Sequence, residues 1–118
     1  MAITGVHALL YSSEPEKLRE VLRDVFGWDH VDAGGGWLIF ALPPAEMGVH
    51  PAMEEGGVGT HEITFLCDDL DATLAELESK GVPRTEETAN ERFGKVCRVQ
   101  LPGGVKVMVY EPAHPTAI

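Results

Sequence analysis

Cysteine is scarce in this chain: there are two, Cys67 and Cys97, far apart. That excludes a disulfide framework and a zinc ribbon, which need more cysteines at closer spacing. Each is expected to act as a small buried hydrophobe on a strand. Long apolar runs are missing too. No stretch approaches the roughly 18 residues needed to cross a bilayer. Residues 1–10 lack the basic region and cleavage site of a signal peptide, so a cytoplasmic location is expected. Basic residues are few, 9 against 19 acidic ones, for a net charge of −10. Nucleic acid and anionic membrane surfaces are poor partners for such a chain. The surplus serves solubility and would also steer a cationic ligand. Gly34-Gly35-Gly36 lacks the strand-to-helix setting of a phosphate loop. No Gly-x-Ser-x-Gly nucleophile elbow occurs.

What is present is a folded domain's pattern. The apolar fraction of 44% is ordinary for a globular protein, and 118 residues make one domain. Residues 3–11 (ITGVHALLY) form an apolar run that suits a buried strand. Ser13 and Glu16 have capping-box spacing, with Pro15 in a first helical turn. Leu18, Val21, Leu22, Val25 and Phe26 then mark one helical stripe, closed by Gly27. Strands are predicted over 28–31, 37–42 and 46–50, with the glycine turn at 34–36 and proline stops after the last two. Residues 54–59 (EEGGVG) read as a linker.

The pattern then restarts. Residues 62–67 suit a strand, and Asp68 and Asp69 offer helix N-caps. Leu70, Leu74 and Leu77 form a second helical face, closed by Gly81. Strands follow over 95–101 and 105–110 around the turn at 102–104. The remaining strand must lie in 84–93. Strand, helix, strand, turn, strand and proline thus occur twice, an internal duplication. The ends match as well: MGVHP at 47–51 against MVYEP at 108–112.

Three segments carry a specific resemblance: HALLYSSEPEKLREVLRDVFGW (7–28), FLCDDLDATLAELESKGV (65–82) and LPGGVKVMVYEP (101–112). They resemble the two module openings and the closing hairpin of the vicinal-oxygen-chelate superfamily, which includes glyoxalases, bleomycin-resistance proteins and extradiol dioxygenases. The resemblance covers nearly the whole chain. It implies an α+β fold of two βαβββ modules, 3–51 and 60–112, forming a cupped mixed sheet within a single domain, 1–118. It also implies a homodimer, built with or without exchange of modules.

In metal-dependent members of that superfamily, His and Glu from the opening and closing strands hold a divalent ion. His7 stands at the first of these positions. In the second module Glu62 takes the position, with His61 one residue earlier. Strand alternation lets only one of the two face inward. Parity favours Glu62, with Thr64 and Leu66 beside it and Ile63, Phe65 and Cys67 on the helix side. The closing strands depart from the pattern, because Met47 and Met108 stand where carboxylates belong and a thioether is a poor ligand for Fe, Mn, Ni or Zn. The expected cofactor is therefore either one such ion, at His7 and Glu62 with His61 in reserve, or none.

The same alternation sends Lys106, Met108 and Tyr110 to the face opposite Val105, Val107 and Val109. Arg98 and Gln100 alternate likewise. With Tyr11, Trp37 and Met47 from the first module, these would line a cavity for a small organic ligand. The aromatics and methionines would serve equally well as packing between layers. Two functions follow. One is a metal-assisted enzyme of lyase or dioxygenase type. The other is a metal-free protein that sequesters a cationic antibiotic or another small molecule; the net charge and the missing closing-strand carboxylates favour it, while the retained His7 and Glu62 favour the enzyme.

Overall fold

The structure, a computed structural model, describes residues 2–52 and 55–118. Its elements are α1 (Pro15–Asp24), β1 (His30–Asp32), β2 (Leu38–Phe40), β3 (Thr64–Leu66), α2 (Leu70–Ser79), β4 (Ala89–Glu91), β5 (Gly94–Leu101) and β6 (Val105–Pro112). The fold is α+β. β1 and β2 form an antiparallel hairpin, while β3-β6-β5-β4 form a mixed sheet in which β3 runs parallel to β6.

Both helices begin at proline or acidic caps, by different means. Asp69 caps α2, its carboxylate accepting from the Ala72 N–H at 3.0 Å. A second carboxylate reaches the same end: Glu111 accepts from the Leu70 N–H at 3.0 Å. These satisfy two of the amides that a helix start leaves without partners. The expected capping box of Ser13 and Glu16 does not form. Glu14 holds the cap position of α1, without a side-chain cap bond, and Pro15 opens the helix. Ser13 is diverted because its N–H donates to the Gly103 carbonyl at 3.1 Å. Gly27 and Gly81 lie at φ 70° and 88°, as helix-closing glycines do.

One core serves both helices. Leu70, Leu74 and Leu77 of α2 pack with Val99, Leu101, Val105, Val107 and Val109 of the sheet. Leu18 of α1 is buried in the same cluster, with Val21, Leu22, Val25 and Phe26 half-buried against it. Phe26, Trp28 and Phe65 pack in tilted and edge-to-face contacts with ring centroids 5.2 to 5.6 Å apart. α1 therefore rests on the sheet built by the second half of the chain.

The β5-β6 pairing sets the faces. Arg98 lies opposite Met108 and Gln100 opposite Lys106, while Val99 meets Val107 on the buried side. Thr64 and Leu66 pair with Met108 and Tyr110. The helices cover the valine face, and the other face is open.

The strands expected over 3–11 and 46–50 are not formed among the described residues. A strand exists by hydrogen bonding to a neighbour, and these segments find none among the described residues. The hairpin strands are also shorter than predicted, and the strand sought within 84–93 is only β4, beside an isolated bridge from Arg84 to Val99. Glu54, the first residue of the linker, lies outside the described residues. Among the described residues no helix is long and apolar enough to cross a membrane.

Cys97 is buried and Cys67 half-buried, both as free thiols. The Cys97 thiol donates to the Glu86 carbonyl at 3.2 Å. Burial is the main cause that pushes both thiols above their ordinary pKa. A raised pKa means less thiolate at pH 8, hence slower attack on a disulfide reagent. Both cysteines are expected to react with Ellman's reagent well below the rate of a free thiol in native protein, and at the ordinary rate in denaturant.

Candidate functional site

The open face of the sheet carries a shallow cavity of about 270 Å³. Its floor is Arg98, Lys106, Val107 and Met108 on β5 and β6, with His61, Glu62 and Ile63 leading into β3. Leu9, Leu10 and Tyr11 form the opposite wall. Three bonds hold that wall in place. The Ser12 hydroxyl donates to the Pro102 carbonyl at 2.7 Å and accepts from the Glu14 N–H at 3.0 Å. Ser13 adds its backbone bond to Gly103. The chain entering α1 is thus tied to the β5-β6 turn.

Gly103 makes this approach possible. It sits at φ +84°, and a Cβ there would collide with Ser12 Oγ and lie 2.5 Å from the Glu14 nitrogen. The turn needs both the left-handed backbone and the missing side chain.

Of the residues singled out in the sequence, Tyr11, His61, Glu62, Arg98, Lys106 and Met108 come together at this cavity. His61 and Glu62 both line it. They precede β3, where no sheet pairing forces alternate residues to opposite faces.

The others lie elsewhere. Gln100 borders a second depression beside α1, and its amide donates to the carbonyls of Leu101 and Val105, both at 3.0 Å. Tyr110 shares the face of Met108, but its ring packs on Phe93 and its hydroxyl lies 3.5 Å from His114 Nε2. Burial, then the charge of Glu46, raises the Tyr110 pKa. Trp37 lies under the Arg19 guanidinium, 4.8 Å from its ring centroid. His7 and Met47 are exposed and do not line the cavity. Leu9, Leu10, Ile63 and Val107 line it although sequence reasoning assigned them to packing. No periodic signal marks the first two, because their segment crosses the rim without pairing.

The donors do not fit a divalent ion. Among the described residues no group of three His, Cys, Asp or Glu side chains is placed to hold one. Met108 contributes a thioether where a carboxylate would be needed. Glu111, the next carboxylate on β6, is engaged at the start of α2. What the cavity offers is an apolar wall, a methionine and a few charged groups, which suits reversible binding of a small organic molecule.

The chain is thus a small α+β fold with two helices, one helix-covered sheet face and a cavity on the other. Residues 5–109 match the model of the Glyoxalase/Bleomycin resistance protein/Dioxygenase superfamily, and the chain belongs to that superfamily. Among solved structures it is similar to TnmS3, an antibiotic binding protein from a Streptomyces species. The identity is 24%, the coverage 96% of this chain and 99% of that one, and the TM-score 0.66. It is also similar to a lactoylglutathione lyase from Agrobacterium tumefaciens, at 20% identity, 94% and 96% coverage and a TM-score of 0.63. A superfamily member from Sphaerobacter thermophilus gives 21% identity, 92% and 98% coverage and a TM-score of 0.63. These likenesses concern the fold. No curated protein sequence matches the chain.

Proposed function

We propose that this chain is a cytoplasmic small-molecule-binding protein that holds its ligand in the cavity between residues 9–11 and the open face of β6 and β5, without a resident metal. One observation carries the reading: the cavity pairs an apolar wall of Leu9, Leu10, Tyr11 and Met108 with a donor set unsuited to a divalent ion. TnmS3, described as an antibiotic binding protein, supports the same class. The metal-assisted reading keeps one supporting observation, the presence of both His61 and Glu62 on the lining. It lacks a third ligand there, since His7 lies apart.

Thermal-shift titration with small aromatic and aliphatic acids, amines and amides tests the reading. At least one class should raise the wild-type midpoint by about 5 °C near saturation. The same class should leave a Met108→Arg variant, whose cavity is filled, unmoved. A wild type that no class stabilises contradicts the reading.

The working unit is a homodimer of chains each built from two modules, 3–51 and 60–112. Val6, Tyr11, Met47 and Val49 are all at least 80% exposed and lie on the two segments that find no sheet partner among the described residues. Exposed apolar strand edges of this kind seek a second copy. Light scattering is expected to give twice the chain mass of 12.8 kDa. The double variant Val6→Glu, Val49→Glu should give the single mass. A wild-type monomer would rule out the dimer.

A further inference from the structure

We infer that the ligand of this cavity carries an anionic group, of carboxylate type, seated between Arg98 and Lys106. The inference rests on the cavity reading above and reverses the expectation that net charge alone would give. The chain has 19 acidic and 9 basic residues. With acids in such excess, most bases find a carboxylate. Lys17, Arg23, Lys80, Arg84, Lys95 and Arg98 all do, at 4.0 Å or less. Among the described residues Lys106 takes part in no ion pair, and it lines the cavity.

Its position is set by the sheet. Arg98 lies directly opposite Met108, and Lys106 lies opposite Gln100. The two cations are diagonal neighbours across β5 and β6 on one face, a separation that long side chains span. Both can therefore turn toward one group above Met108. Arg98 also reaches Glu86 at 3.5 Å. That contact holds the guanidinium at the rim and leaves donors unused, since it has five N–H groups.

Glu62 is the lining's one carboxylate. Extending the parallel β3-β6 register two residues back from Thr64 and Met108 brings Glu62 level with Lys106. Yet no ion pair forms between them. An anionic ligand would compete with Glu62 for Lys106, while a cationic one would have to pass two positive groups to reach it. Beyond these groups the lining is His61 and the otherwise apolar set of Leu9, Leu10, Tyr11, Ile63, Val107 and Met108. The ligand is thus an acid with an apolar or aromatic body lying against Leu9, Leu10 and Tyr11.

A matched trio of probes, naphthoate, naphthamide and naphthylmethylamine, tests this in the full chain. Each titration is followed by fluorescence and by the Met108 methyl resonance. At about 20 mM ionic strength naphthoate should bind about tenfold more tightly than the amine, with the amide between. The preference should shrink toward unity near 0.5 M salt, where screening is within about 4 Å. Arg98→Gln with Lys106→Gln should abolish the preference of the acid over the amide, and Glu62→Gln should strengthen naphthoate binding. If the amide or the amine moves the Met108 resonance and binds as tightly as the acid, the anion inference is overturned and the cavity stands. If none of the three binds or moves Met108, both are overturned.

Discussion

Leu74→Ala is expected to lower the unfolding free energy by about 3 kcal/mol, the middle of the range for a buried leucine truncated in a tight core. Leu74 is 1% exposed. It stands between Leu70 and Leu77 on the face that α2 turns to the sheet, in the cluster that also takes in Leu18 of α1. The cavity left behind would be shared by both helices and the valines of β6, so no single side chain can collapse into it. Val58→Ala is the matching control. Val58 is 85% exposed, and its change should stay within about 0.5 kcal/mol. Urea denaturation reads both, with the slope unchanged if the native and unfolded states keep their surface. A Leu74→Ala cost below about 1 kcal/mol would contradict the common core.

The second large effect is expected at Gly103, where fold and site meet. Gly103→Ala must strain a backbone at φ +84° and push a methyl group into Ser12 Oγ. The left-handed conformation alone costs about 1–2 kcal/mol. Gly104→Ala isolates that part, since it sits at φ +79° with nothing within 4 Å of its Cβ. Gly103→Ala should cost about 1–2 kcal/mol more, from the bonds of Ser12 and Ser13 that must break. Its ligand affinity should fall as well, because those bonds hold the Leu9 to Tyr11 wall against the sheet. Gly104→Ala should keep its affinity. Equal behaviour of the two variants would show that the wall does not depend on this contact.

The second half of the fold was legible because local signals agreed with one another. Asp69, Leu70, Leu74, Leu77 and Gly81 mark a cap, a face and a stop for α2, and the structure contains each. The valine alternation at 105, 107 and 109 sets which face of β6 is buried, so Lys106 and Met108 could be placed opposite it. The first half was less legible. Residues 3–11 and 46–50 have strand composition, but a strand needs a partner. Composition does not record whether a partner is in reach, and among the described residues neither segment pairs. Ser13 and Glu16 had the right spacing for a capping box, and a distant turn claimed Ser13 instead. The engagement of Glu111 with α2 is a contact between residues 41 positions apart that no local pattern records. Net charge says nothing of how charges are placed around the cavity. It averages over the surface, whereas the cavity is lined by Arg98 and Lys106.

The proposed cavity binds without a resident metal, because Met108 brings a thioether where a carboxylate would be needed and Glu111 is engaged at the start of α2. Metal content is the decisive measurement, made on protein purified without chelator and again after incubation with Fe(II), Ni(II) or Zn(II) and desalting. Far less than one ion per chain is expected, with His7→Ala indistinguishable from wild type. One ion per chain that disappears in His7→Ala would contradict it.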